Sequence, residues 1–277
     1  MSYKNIKSRI NSIDVISKAI NAIKATTDMK LARIKVLIEK HKKIDVSPLI
    51  NSLLNYMSQE NIKLPRLDKQ ELGLVIFSDK GLCGGFNNQL NKSFAKVIFK
   101  HKKIIFIGKR SARYAKKYTG ESKIIDGSSL EKDSIGKHED ALSYIVEEVL
   151  KNQGANIYFN SYKSILEQIP ISTKTQSIIE SIIPQRDSQL DLNLVSVESL
   201  NFQRLLRFCL SLLLRKSIRS MFLESRLSEE SSRLVSMDSS IQNAKKLRTK
   251  LQVKMNRSRQ ADITNQMIEI ISALSVE

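Results

Sequence analysis

The sequence predicts an α/β chain of uneven build: a long antiparallel coiled coil of N- and C-terminal helices, with a Rossmann-like α/β domain inserted between them. Three observations carry this: where the chain breakers fall, two narrow apolar stripes, and a change of pattern in the middle. All nine glycines lie between Gly73 and Gly154, and the four prolines are Pro48, Pro65, Pro170 and Pro184. Residues 1–47 and 185–277 hold neither type. Gly and Pro are what a long helix excludes, so both ends read as helix. The expected division is 1–60 for the N-terminal helix, 61–195 for the α/β domain and 196–277 for the C-terminal helix.

In the first segment Ile6, Ile10, Ile13, Ile16, Ile20, Ile23, Thr27, Leu31, Ile34 and Leu37 step by three or four. The positions between them are mostly Lys, Arg, Asn, Ser and Asp, which leaves one heptad-like stripe. The last segment repeats the pattern through Leu234, Met237, Ile241, Ala244, Leu247, Leu251 and Met255, then Ile263, Met267, Ile270 and Leu274. Two narrow stripes far apart in sequence suit one antiparallel pair, with Ile13, Ile20, Ile23, Leu31, Ile241 and Leu251 in its seam. An ordinary helical bundle is the alternative, but it would need wider apolar faces and more partner helices.

A helix from about Leu200 onward is on the order of 100 Å long at about 1.5 Å per residue. Its N-terminal partner, ending near Pro48 or somewhat beyond, is roughly half to two-thirds of that. The C-terminal helix should therefore outrun its partner. The surplus reads QMIEIISALSVE, with Met267, Ile268, Ile270, Ile271, Leu274 and Val276 facing several directions. A helix apolar nearly all round is buried, and no sequence remains in the chain to bury this one. The tip is expected inside another protein.

Between the helices the pattern changes. Leu72–Phe77, Ile104–Ile107 and Ile157–Tyr162 are short β-rich runs, separated by helical stretches at about Gln89–Lys100, Arg110–Lys117 and Lys137–Asn152. Alternation of this kind implies parallel pairing with crossovers. The segments 120–135 and 165–195 carry no clear pattern of either kind.

Composition bounds the function. Lys and Arg number 46 against 28 Asp and Glu, a formal charge of +18, which calls for an anionic partner: nucleic acid, acidic lipid or an acidic protein surface. Aromatic residues are 6% and Trp is absent, low for a ligand-pocket protein. Cys83 and Cys209 cannot make a disulfide framework, which fits a reducing compartment. The N-terminus has no apolar signal core, and the most apolar run, Phe208–Leu214, is far short of the roughly 20 residues that span a bilayer. A soluble or peripheral protein is expected.

After the first middle strand comes SDKGLCGGFN, 78–87, ahead of a helix. A Gly-rich turn at that place can cradle a phosphate. Yet Gly81, Gly84 and Gly85 are not spaced as G-x-G-x-x-G, and no Gly-Lys-Ser/Thr follows. A tight turn whose glycines permit positive φ and close backbone approach explains the loop better. Cys83 would need a base to act as a nucleophile, and His41, His101 and His138 have no motif around them. No catalytic, cofactor-binding or metal-binding set is expected.

These residues together resemble the gamma subunit of the rotary F-type ATP synthases, in bacterial form. SDKGLCGGFN is similar to that family's Ser-Asp-Arg-Gly-Leu-Cys-Gly-Gly-Phe-Asn loop, with Lys80 in place of Arg. SEESSRLVSMDSSIQNA (228–244) and NRSRQADITNQMIEI (256–270) are similar to its C-terminal motif, and SIDVISKAINAIKATTDMKLARIK (12–35) follows its N-terminal helix. The resemblance implies a central shaft, present once per complex, standing in a ring of three alpha and three beta subunits. Its foot, with the loop of Asp79, Lys80, Gly81, Gly84 and Gly85, would bind the epsilon subunit and the membrane c-ring. Such a shaft passes proton-driven torque to beta and holds no catalytic residue itself. It would lie at the cytoplasmic side of the bacterial inner membrane. Arg259, Gln260 and Thr264 match positions that bond a loop of beta, Arg233 matches one facing beta's acidic lever, and the apolar tip would sit in the ring's bearing. The chain departs from the family at Thr26–Met29, where a run of small residues is usual, and Ile23 stands where many members have Met. A basic coiled-coil nucleic-acid-binding protein is the alternative, and a nucleotide-binding middle domain a further one; few aromatics interleave with the basic residues, which argues against single-strand stacking.

Overall fold

The computed structural model describes residues 3–44, 46, 48, 50, 66–131, 139–181 and 199–274. The expected boundaries at 60/61 and 195/196, together with His138 and Val276, lie outside those residues. The chain divides into two compact units, Lys30–Arg233 and the pair Met1–Met29 with Leu234–Glu277.

Two long helices contribute to both units: α1, Tyr3–Lys43, and α7, Ser199–Leu274. The last turn of α1 carries Lys40, His41, Lys42 and Lys43, cations that suit the negative end of a helix.

The unit Lys30–Arg233 is built around a mixed sheet. Its strands are β1 (Leu72–Ile76), β2 (Lys103–Ile107), β3 (Glu121–Ile125), β4 (Asn156–Tyr162) and β5 (Gln168–Lys174). Among the described residues they lie in the order β3-β2-β1-β4-β5. β1 to β4 run parallel, and β5 returns antiparallel to β4, with Asn156 opposite Lys174. The period of two sorts each strand onto two faces. Leu72, Leu74, Ile76, Ile105, Ile107, Ile157 and Phe159 face one core, with α5 (Glu139–Lys151), α6 (Thr175–Glu180) and the first half of α7. Val75, Phe77, Ile104, Phe106 and Tyr158 face the other, with α2 (Phe86–Phe94) and α3 (Ala112–Ala115). A short α4, Ser128–Glu131, follows β3. At Gly108 the chain leaves β2 with φ +102, and a Cβ there would lie 2.3 Å from the Phe77 carbonyl oxygen. No other residue type fits that passage.

The three expected strands form as read. Two expected helices are shorter: α2 ends at Phe94, with a separate 3₁₀ turn at Ile98–Lys100, and the stretch from Arg110 is a 3₁₀ turn followed by α3. The strands in the unassigned segments, β3 and β5, are the sheet's edges. β3 buries only Ile125, and β5 tolerates Pro170 because it has no strand beyond it to bond.

In the other unit, α1 and α7 run antiparallel. Asp14 accepts from Arg248 at 2.8 Å and Asp238 accepts from Lys24 at 2.5 Å, so α7 falls as α1 rises. Ile6, Ile10, Thr27 and Met237 are buried, and Ile13, Ile20, Ile241 and Leu251 half-buried. Ile23 and Leu247 remain 40% and 50% exposed, because two helices alone cannot cover a whole stripe. Thr27 takes the seam, its hydroxyl bonded to the Ile23 carbonyl at 2.9 Å, while Asp28 points outward. The substituted Thr26–Met29 run therefore still offers a small side chain to the partner helix. Continued in the same register, Tyr3 lies level with Arg259, and α7 runs on through Leu274 without α1 beside it. Along that overrun Ile263, Met267, Ile268, Ile270 and Ile271 are 49–66% exposed.

Candidate functional site

The loop 78–87 leaves β1 at the point where connections diverge to β2 on one side and β4 on the other. In open α/β sheets that switch point, at the carboxyl ends of the strands, is where ligands bind. Here the chain fills it from within. Asp79 accepts the backbone N–H of Lys109 at 3.0 Å and of Gly127 at 3.1 Å, the residues that follow β2 and β3. Its other oxygen lies 3.6 Å from the Arg226 guanidinium of α7, and both side chains are 8% exposed. The N–H groups that could meet a phosphate are thus held by the chain's own carboxylate.

The rest of the loop is tied down as closely. Ser78 N–H donates to the Asn87 side chain at 3.1 Å, and the Asn87 amide returns a bond to the Ser78 hydroxyl at 2.7 Å. Ser232 donates to the Cys83 carbonyl at 2.8 Å, and Arg233 to that of Gly81 at 3.1 Å. The three glycines serve different ends. Gly84 has φ +53, beside Leu82 at +62; a Cβ on Gly81 would come within 2.8 Å of the Arg110 guanidinium; Gly85 sits at φ −80 with ordinary room around it. The tight-turn reading holds for Gly84; what lies against Gly81 is the movable end of the Arg110 side chain and not backbone.

Beneath the loop lies a buried run of charge on α7. Glu229 pairs with both Arg226 and Arg233 at 2.5 Å, and Glu230 also pairs with Arg233. Burial pushes the Glu229 carboxyl up, against the pull of the two guanidinium groups. Arg233 is held above its usual range by Glu229 and Glu230 in spite of burial. On α1, the half-buried Lys30 ammonium is pushed down, first by Lys80 beside it, then by burial, while Glu230 pulls it up. Cys83 is buried and its thiol pushed up, chiefly by desolvation, the reverse of what a nucleophile needs. His101 is buried elsewhere, between the Gln70 carbonyl at 2.7 Å and the Tyr158 hydroxyl at 2.9 Å, far in role from any acid–base centre. Among the described residues no group of three His, Cys, Asp or Glu side chains is placed to hold a metal ion.

The structure brings Asp79, Lys80, Gly81 and Arg233 together and leaves Arg259, Gln260 and Thr264 on the exposed side of α7. Arg233 is 4% exposed, its guanidinium engaged within the chain. Sequence reading missed Glu224, Arg226, Glu229 and Ser232. The i, i+3 and i+4 spacing of Arg226, Glu229, Glu230 and Arg233 was the available signal, but solvated helix faces carry the same spacing.

An α/β domain whose ligand crevice is stopped by its own carboxylate, joined to two long helices, has the build of a mechanical part and not of a nucleotide-using enzyme. The chain belongs to the ATP synthase gamma family: the ATP synthase family model matches residues 2–275. The ATP synthase gamma chain of Pelagibacter ubique is 32% identical over 292 aligned residues, 97% of each chain. That of Clostridium beijerinckii is 30% identical, covering 98% of this chain and 97% of its own. Among solved structures, a chain of the Euglena gracilis mitochondrial ATP synthase, in the OSCP/F1/c-ring assembly, matches with a TM-score of 0.66 at 16% identity, over 99% of this chain and 94% of that one. The rotor of the same enzyme in another rotational state matches at 0.62 and 15% identity, over 94% and 98%. At those identities the structures speak for the fold. Membership makes the chain a non-catalytic subunit, and nothing among these relatives supports the nucleic-acid alternative.

Proposed function

We propose that this chain is the central rotor shaft of an F1 ATP synthase, passing torque between a membrane c-ring and the catalytic beta subunits. The observation that carries the reading is the overrun of α7, a long helix end with Met267, Ile268, Ile270 and Ile271 all more than half exposed and no α1 beside it. Seated in the bearing of an alpha–beta ring, that tip, with Leu274, would lose its contact with water. Arg259, Gln260 and Thr264, exposed just before it, would bond a loop of beta. Arg233, matched to a position facing beta's acidic lever, also holds the foot loop through the Gly81 carbonyl. The α/β segment, 61–195, is the foot for epsilon and the c-ring, and 1–60 with 196–277 is the shaft, one copy to a complex. Among the described residues no helix is long and apolar enough to cross a membrane, in keeping with a peripheral subunit on the cytoplasmic face of a bacterial inner membrane. A tagged chain recovered from its own cells should bring the alpha and beta subunits with it. Recovery of neither, under conditions that keep the complex intact, would sink the proposal.

A further inference from the structure

The carboxyl ends of all four parallel strands are tied to one short stretch of α7. Asp79, just after β1, gathers the backbone of Lys109 after β2 and Gly127 after β3, and meets Arg226 at 3.6 Å. At the end of β4, Glu224 accepts from the Ser161 hydroxyl and from the Tyr162 N–H at 3.3 Å. Two turns further along the helix, Ser232 and Arg233 hold the carbonyls of Cys83 and Gly81 at 2.8 and 3.1 Å. The charged members are almost wholly enclosed: the Asp79 and Arg226 side chains are 8% exposed, Glu229 1% and Arg233 4%.

Buried ion pairs add little net stability over an apolar packing of the same shape, but they are directional. The attraction within the apolar core under the sheet has no direction of its own. Directional bonds at points two helical turns apart oppose sliding and twisting. We propose that Asp79, Arg226 and Glu224, with Ser232 and Arg233, form a torsional clamp, built in the crevice where other α/β domains hold a ligand, which makes the sheet and α7 of the unit Lys30–Arg233 turn as one body. Asp79 and Arg226 are positioning residues: they touch no substrate, and they act by fixing the orientation of α7 against the sheet.

The inference rests on the rotor reading and is tested in the assembled complex. The probe is a rod attached through Ile124→Cys, at a half-exposed position on β3, with Cys83 and Cys209 both buried. With the alpha–beta ring fixed to a surface and rotation stopped by bound nucleotide, the angular variance of the rod is recorded. Asp79→Ala and Arg226→Met should each raise that variance at least twofold. Asp79→Asn, which keeps an acceptor for Lys109 and Gly127 but loses the charge facing Arg226, should raise it less. Ile218→Val, a mild core change beside the clamp, should leave it unchanged, which separates loss of the clamp from general loss of stability. Equal variance in Asp79→Asn, Arg226→Met and unmodified complexes overturns the clamp. Failure of the unmodified chain to enter any alpha–beta complex overturns the rotor reading instead.

Discussion

The same helix, α7, meets two different environments. Within Lys30–Arg233 its Leu214, Ile218 and Phe222 are no more than 1% exposed, against a sheet and further helices. Within the other unit, Leu247, Val253 and Ile263 are about half exposed beside one partner helix or none. Both stretches carry large apolar side chains. The difference is what covers them: the first stretch is packed within its own unit, and the second, among the described residues, has α1 beside it or nothing. A chain that merely needed a stable core would not carry the second.

Truncating one side chain in each stretch gives the largest expected difference. Phe222→Ala should cost about 3–5 kcal/mol in denaturant unfolding of the purified chain, the usual penalty for emptying an aromatic core site. Ile263→Ala should cost no more than about 0.5 kcal/mol in the same measurement. Equal costs would mean that the two environments do not differ in the way described. Next in size, Ile270→Asp with Ile271→Asp should leave the isolated chain's unfolding midpoint where it was. Recovery of alpha and beta subunits with the tagged chain should nevertheless fall more than tenfold. Full recovery would remove the tip from the interface.

A smaller effect lies in the α/β unit. Burial, reinforced by Lys100, pushes the His101 imidazole below its usual range, although the Gln70 carbonyl pulls the other way. The folded state therefore prefers the neutral ring. Its contribution is fully present above the unfolded value of about 6.5 and is lost as the pH falls below it toward the folded one. Unfolding midpoints measured from pH 7.5 down to about 5 should show this loss, and His101→Gln should flatten it. An unchanged slope in that variant would assign the loss to other groups. The smallest effect belongs to the coil: Arg248→Ala breaks an ion pair to Asp14 that is about half exposed, and should change stability by about 0.5 kcal/mol or less, vanishing in high salt.

Sequence legibility follows the same divide. Both long helices were readable because breaker-free length and a heptad stripe are local properties. β1, β2 and β4 were readable because each carries a short unbroken apolar run, Leu74–Ile76, Ile104–Ile107 and Ile157–Phe159. The edges were not: Glu121–Ile125 places one residue in the core, and Gln168–Lys174 reads as polar and contains Pro170. The closing of the crevice was also invisible. Asp79 is bound by backbone N–H groups 30 and 48 residues away, and a backbone donor leaves no mark on residue identity. Arg233 is ambiguous for a related reason, since an arginine facing a partner and one sealed inside a charge cluster are the same letter. The overrun of α7 came from comparing two lengths, and it needed no knowledge of any side-chain contact.

One feature of α7 bears on how the molecule is made. The sheet's core is completed by Leu214, Ile218 and Phe222, which leave the ribosome long after the last strand, Gln168–Lys174. Until they emerge, one face of the sheet is covered only in part, by α5 and α6. The exposed apolar turns around Met267–Ile271 follow later still. Synthesis order thus places an aggregation hazard in the half-covered sheet.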